Sequence, residues 1–142
     1  MRTIRRILAA VLACYWLAAF ATTHVPVPDL GPLPKNSDKV VHVVMYAGLA
    51  FLLGVSMLAA GALRLRHYLA IVAITLVYAV VDELLQIPVN RRADLADGAA
   101  DAVGVVIGLC ALHLSRGVLT RLFRRIGDND QRISPSEVGR RQ

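Results

Sequence analysis

Four apolar stretches, at about Ile7–Thr23, Val40–Leu63, Tyr68–Ile87 and Leu95–Leu114, decide what this chain can fold into. A helix rises about 1.5 Å per residue, so roughly 20 residues cross a hydrocarbon core of about 30 Å, and each stretch is of that order. Inside lipid the backbone must satisfy its own hydrogen bonds, which leaves helices or a closed barrel. No segment reads as a series of alternating strands. The expected fold is all-α: a polytopic membrane protein built as a four-helix transmembrane bundle. A hydrophobic share of 56% against 18% charged residues agrees, being too apolar for a water-soluble domain of 142 residues.

The basic residues set the expected orientation. Arg2, Arg5 and Arg6 precede the first stretch, Arg64 and Arg66 separate the second from the third, and Arg116, Arg121, Arg124 and Arg125 follow the fourth. The other side has only Lys35, Lys39, Arg91 and Arg92, and there Asp29, Asp38, Asp94 and Asp97 collect. The positive-inside rule then places both ends in the cytoplasm, N-in and C-in. The net charge of +6 is thus spent on topology. Without a basic stripe interleaved with aromatics, it does not indicate nucleic acid. Cys14 and Cys110 lie inside apolar runs and read as small hydrophobes.

Along the chain, residues 1–25 form an N-terminal tail and first helix, 26–38 a Pro-rich outer linker, 39–115 a core of three transmembrane helices, and 116–142 a basic cytoplasmic tail. The linker VPVPDLGPLP cannot continue a helix and is expected to run extended. From about Gly127 the tail is polar, without apolar periodicity, and is expected to be disordered. The first helix has a rival reading as a cleaved signal peptide ending at Ala19-Phe20-Ala21. The bulky Tyr15, Trp16 and Leu17, which prolong the apolar run, favour retention.

Ionisable groups in membrane spans are costly, so their positions carry the most information about function. Asp38, His42 and Tyr46 repeat at i, i+4, i+8 and share one face of the second helix. Near the end of the third, Asp82 and Glu83 are followed by Gln86, and the i, i+3 spacing lets Glu83 and Gln86 point together. Asp94, Asp97, Asp101, Gly104 and Gly108 form one stripe on the fourth helix, with carboxylates outermost and glycines in the middle. Gly104 and Gly108 are a small-xxx-small pair that admits a neighbouring helix and draws its side chains toward Asp97 and Asp101. Each group also has a plain structural reading: Asp38, Lys39 and Asp94 as boundary charges, His42 as a packing histidine, Arg92 as a headgroup contact, and Tyr46, Tyr68 and Tyr78 as membrane packing. Glu83 and Asp101, deeper in the span, are the strongest functional candidates.

Over roughly Pro26 to Leu109 the chain resembles the VanZ-like family, small membrane proteins named after a glycopeptide-resistance protein. The residues that carry the resemblance are DKVVHVVMY with Asp38, Lys39, His42 and Tyr46, DELLQ with Glu83 and Gln86, and RRADLADGAADAVGVVIG with Arg91, Asp97, Asp101, Gly104 and Gly108. Many relatives carry Asn where this chain has Asp101, and the double Arg91-Arg92 leaves two candidates for the family arginine, of which Arg91 has the better spacing to Asp97. The resemblance implies a multi-pass protein of the bacterial inner membrane linked to envelope stress or to resistance against teicoplanin-like drugs.

The leading expectation is a binding role. An outward-facing polar pocket of Asp38, Lys39, His42, Glu83, Gln86, Arg91, Asp97 and Asp101 would engage an anionic headgroup of a membrane lipid or a lipid-linked cell-wall intermediate, the cations holding the anion and the remaining groups orienting it. No bound cofactor is expected on this reading, and no metal. The alternative is an intramembrane metal-assisted hydrolase or transferase, with His42, Glu83, Asp97 and Asp101 as ligands of a divalent ion. Convergence of three of these side chains would favour the metal, and arginine–carboxylate pairing the headgroup. A proton-coupled transporter is disfavoured because the inner halves of the helices offer no charged path. The chain also has no nucleotide loop, Ser-His-Asp arrangement or HExxH motif.

Overall fold

A computed structural model of the chain describes residues 1–24, 37–86 and 95–133. Four helices make up nearly all of these residues: α1 (Arg2–His24), α2 (Ser37–Ala60), α3 (Leu65–Gln86) and α4 (Leu95–Ile133). Each is long and apolar enough to cross a membrane, and there is no strand among the described residues. The linker from Val25 to Asn36, the candidates Arg91 and Arg92, and Asp94 lie outside the described residues.

Contacts between side chains and backbone fix the helix directions. Arg5, at the start of α1, donates from Nε to the carbonyl of Ala59 at the end of α2 (3.0 Å). Tyr15, at mid-length, donates to Met45 O (3.1 Å), and Thr23, near the end, donates to Asp82 Oδ1 late in α3 (3.1 Å). Lys39 and Asp97, both near the starts of their helices, meet across α2 and α4. So α1 and α3 run one way and α2 and α4 the other, an up-down-up-down bundle. The guanidinium of Arg5 also supplies a donor to the unsatisfied carbonyls at the α2 C-terminus.

The distribution of polarity is inverted relative to a soluble protein. Val44, Leu69, Val77, Val80, Leu84 and Val106 are exposed, whereas His42, Thr75, Asp82, Gln86 and Asp101 are buried. An exterior of that kind suits hydrocarbon. Polar groups inside it are tolerated where they find one another.

α2 and α4 form the closest pair, and small residues are the reason. A Cβ placed on Gly104 would meet Val43 O at 2.5 Å and Tyr46 Cβ at 3.0 Å, and one on Gly108 would meet the carbonyl oxygen of Ala47 and the side chain of Ala50. Farther along, Leu112 fills the space that Gly54 leaves on α2. Backbones in contact bring the first turns of the two helices into side-chain reach, where Lys39, His42, Asp97 and Asp101 lie.

All four helices start at or before the apolar stretches that announce them, while α2 ends at Ala60, short of Leu63. α1 begins at Arg2 instead of Ile7, α3 at Leu65 instead of Tyr68, and α4 continues to Ile133 instead of ending near Leu114. With 39 residues, α4 is about 58 Å long, roughly twice the hydrocarbon thickness. The boundary expected at residue 115 therefore falls inside a helix. Residues 127–133, expected to be disordered, are helical. Apolar runs mark what lies in lipid, not where a helix stops. In the overrun, Phe123 is buried in the core cluster and Leu119 is packed against it, together with Met1 and Ile4 of the N-terminal segment. Gly127 also lies beside the Met1 side chain.

Candidate functional site

The polar side chains of three helices meet at the end of the bundle where α2 and α4 begin and α3 finishes. At its rim Lys39 Nζ bonds Asp97 Oδ1 at 2.9 Å and lies 3.5 Å from Asp38 Oδ2. Asp38 is largely exposed, so this first turn sits at a boundary with the surroundings. One turn deeper, His42 Nδ1 donates to Asp101 Oδ1 at 2.8 Å, and both side chains are buried. The two contacts stack because Lys39 and His42 are three residues apart on α2 while Asp97 and Asp101 are four apart on a parallel α4, so each pair occupies one level.

Glu83 of α3 completes the deeper level. One ligand-type atom from each of His42, Glu83 and Asp101 lies within 4.8 Å of the other two. These residues are distant in sequence and come from separate helices, so their meeting is a product of the fold. An imidazole and two carboxylates form a mixed nitrogen and oxygen donor set of the kind that binds divalent transition ions. Asp97, a fourth candidate ligand on the sequence reading, is engaged with Lys39 instead.

Tyr46 lies one turn along α2 from His42. It is 1% exposed, and its hydroxyl has no hydrogen-bond partner among the described residues. Asp82, Glu83 and Asp101 are all within electrostatic reach of that hydroxyl.

A second polar centre surrounds Asp82, which is 1% exposed. Its Oδ1 accepts from the Thr23 hydroxyl at 3.1 Å and from the Tyr78 hydroxyl at 3.4 Å, its Oδ2 accepts from Gln86 Nε2 at 3.0 Å, and His24 Nδ1 lies 3.7 Å away. Gln86 therefore belongs with Asp82, its i−4 neighbour, and not with Glu83 as the i, i+3 reading expects. Asp82 and Glu83 are adjacent in sequence and point about 100° apart on the helix, which sends one to α1 and the other to α2 and α4. Trp16 supports this side, its ring packing edge-on to Tyr78 with centroids 5.0 Å apart.

Of the sequence candidates, the structure brings Asp38, Lys39 and Asp97 together at the rim and His42, Glu83 and Asp101 together beneath it. Thr23, His24, Tyr78 and Asp82 were not among them. A signal for Asp82 existed, since a carboxylate in an apolar run is as costly at position 82 as at 83. For Thr23 and His24 there was none: they end a helix that reads as apolar, and only packing on α3 gives them a carboxylate. Comparison of the chain with protein-family models, characterised proteins and solved structures finds no match in any of the three.

Proposed function

We propose that this chain is a multi-pass protein of the bacterial inner membrane, VanZ-like in its motifs, whose polar end faces outward and engages the phosphate-bearing headgroup of an envelope lipid or lipid-linked cell-wall intermediate. One observation carries the reading. Side chains of all four helices gather at one end of the bundle: Thr23 and His24 from α1, Lys39 and His42 from α2, Asp82, Glu83 and Gln86 from α3, and Asp97 and Asp101 from α4. Burial of so many polar groups is costly in a bilayer, and a headgroup at that depth gives them a ligand.

The orientation rests on the arginines. Arg5, Arg64, Arg66, Arg116, Arg121 and Arg124 occupy the opposite end, which the positive-inside rule assigns to the cytoplasm. At that end Arg116, Arg121 and Arg124 line one cleft with Leu58 and Phe123. Between the two ends the buried side chains of the described residues carry no charge, with Ala50, Val55, Ile71, Thr75 and Leu112 among them. This argues against a relay of charges across the membrane and for a site that works from one face. A role in envelope stress or glycopeptide-type resistance follows from the VanZ-like resemblance.

The test is lipid selectivity. The full chain is placed in nanodiscs containing phosphatidylethanolamine, phosphatidylglycerol and a polyprenyl phosphate, released into a mass spectrometer, and its retained lipids are counted. Enrichment of a phosphate-headgroup lipid over its bulk share, reduced by Lys39→Gln, is expected. Retained lipids in bulk proportion would overturn the proposal.

A further inference from the structure

The headgroup reading faces a charge problem. Among the described residues, Asp82, Glu83, Asp97 and Asp101 crowd the polar end, while Lys39 bonds Asp97 and lies beside Asp38. A phosphate approaching these side chains meets more carboxylates than ammonium groups among them. A cation deeper than Lys39, positioned among the carboxylates, would offset that charge.

We propose that His42, Glu83 and Asp101 bind a divalent transition-metal ion, and that this ion supplies the positive charge that holds a phosphate headgroup. Ligand-type atoms of the three residues converge within 4.8 Å of one another, close enough for a single ion to reach all of them with modest side-chain adjustment. The donors are two carboxylates and an imidazole, which suits Zn²⁺ or Mn²⁺ better than Mg²⁺, an ion that keeps several waters and favours all-oxygen surroundings.

A second observation, independent of the carboxylates, points to a ligand at this spot. The Tyr46 hydroxyl is buried one turn along α2 from His42, within electrostatic reach of Asp82, Glu83 and Asp101, and has no partner among the described residues. A buried hydroxyl without a partner is unfavourable, and metal-bound water or a metal-bound phosphate oxygen beside it provides one. Three protein ligands leave coordination positions open for that oxygen, as an intramembrane hydrolase or transferase would also require.

The metal site stands on its own geometry, and its role in holding a headgroup rests on the function proposed above. Both are tested with the full chain purified in detergent, stripped with a chelator and titrated separately with Zn²⁺, Mn²⁺ and Mg²⁺. Metal retained after desalting is counted by elemental analysis, and affinity is read by calorimetry. A single Zn²⁺ or Mn²⁺ per chain is expected, with Mg²⁺ bound more weakly. Glu83→Gln and Asp101→Asn preserve size and hydrogen-bonding capacity, and each should weaken binding roughly tenfold or more. Asp128→Asn, at the other end of the molecule, should leave it unchanged.

Absence of bound metal in the wild-type protein would overturn the site and reduce the His42–Asp101 contact to a helix clip, whether or not the variants fold. Equal affinity in monodisperse, fully helical Glu83→Gln and Asp101→Asn would overturn it as well. The nanodisc measurement, repeated with and without chelator, separates the two readings. Selective lipid retention that survives chelation leaves the headgroup reading intact and removes the metal from it, and metal binding with bulk-ratio lipid does the reverse.

Discussion

Two adjacent carboxylates on α3 have different surroundings, and substitutions should distinguish them. Asp82 accepts from Thr23, Tyr78 and Gln86, so Asp82→Leu leaves buried donors without an acceptor, at about 1–3 kcal/mol for each that finds no substitute. A lower unfolding temperature in detergent is the expected result, and an unchanged one would mean that this network does not form. Glu83→Gln keeps the size of the side chain and most of its hydrogen bonding, so protein levels in the membrane should hold. On the function proposed above, survival under envelope stress or a glycopeptide-type drug, scored at matched levels, should fall sharply. Wild-type survival would remove Glu83 from the site. Asp101→Asn separates a site that needs only hydrogen bonds, which should keep most activity, from one that needs an anionic ligand, which should not.

At the scale of the helices, the glycines of α4 make opposite demands. Gly104→Leu drives a side chain into the Val43 carbonyl and the Tyr46 Cβ. Overpacking of this kind costs about 1–3 kcal/mol where side chains can yield, and here the first obstacle is backbone. Loss of the monodisperse folded fraction in fluorescence-detected size exclusion is expected, and normal accumulation with normal function would contradict the α2–α4 contact. A Cβ at Gly98, by contrast, meets nothing within 4 Å. Gly98→Ala should be neutral or slightly stabilising, by up to about 1 kcal/mol through helix propensity. The Gly104–Gly108 pair was readable from its spacing alone. Gly48, which lies under the Tyr15 ring, and Gly54, which faces Leu112, were not, because the residue that makes each glycine necessary is on another helix.

For the molecule as a whole, the expected topology puts a reporter fused after Gln142 in the cytoplasm and one inserted near Asn36 outside. Finding the Asn36 reporter inside would move the polar end to the other leaflet and remove the outward-facing pocket. The same bundle bears on the fate of α1. Arg5, Tyr15 and Thr23 bond α2 or α3 near the start, middle and end of the helix, so removal of α1 would strip contacts along its whole length. Intact mass spectrometry of the membrane-extracted protein should show the segment before Ala21 still attached. A mass matching cleavage after Ala21 would favour the signal-peptide reading.

The number of helices and their ability to cross a membrane were legible in the sequence, because those properties depend on hydrophobic length and on backbone hydrogen bonds closed within each segment. The sequence also marked Asp97, Asp101, Gly104 and Gly108 as one stripe, since helical periodicity is local. Helix ends were less legible: α4 persists beyond Leu114 through contacts of Leu119 and Phe123 that no apolar run announces. The meeting of His42, Glu83 and Asp101, the engagement of Asp97 with Lys39 and the turn of Gln86 to Asp82 emerge when the helices pack. Those pairings depend on the rotation of each helix about its axis. That rotation is set by which small residues let which neighbours approach, a property of two surfaces together that neither sequence segment contains alone.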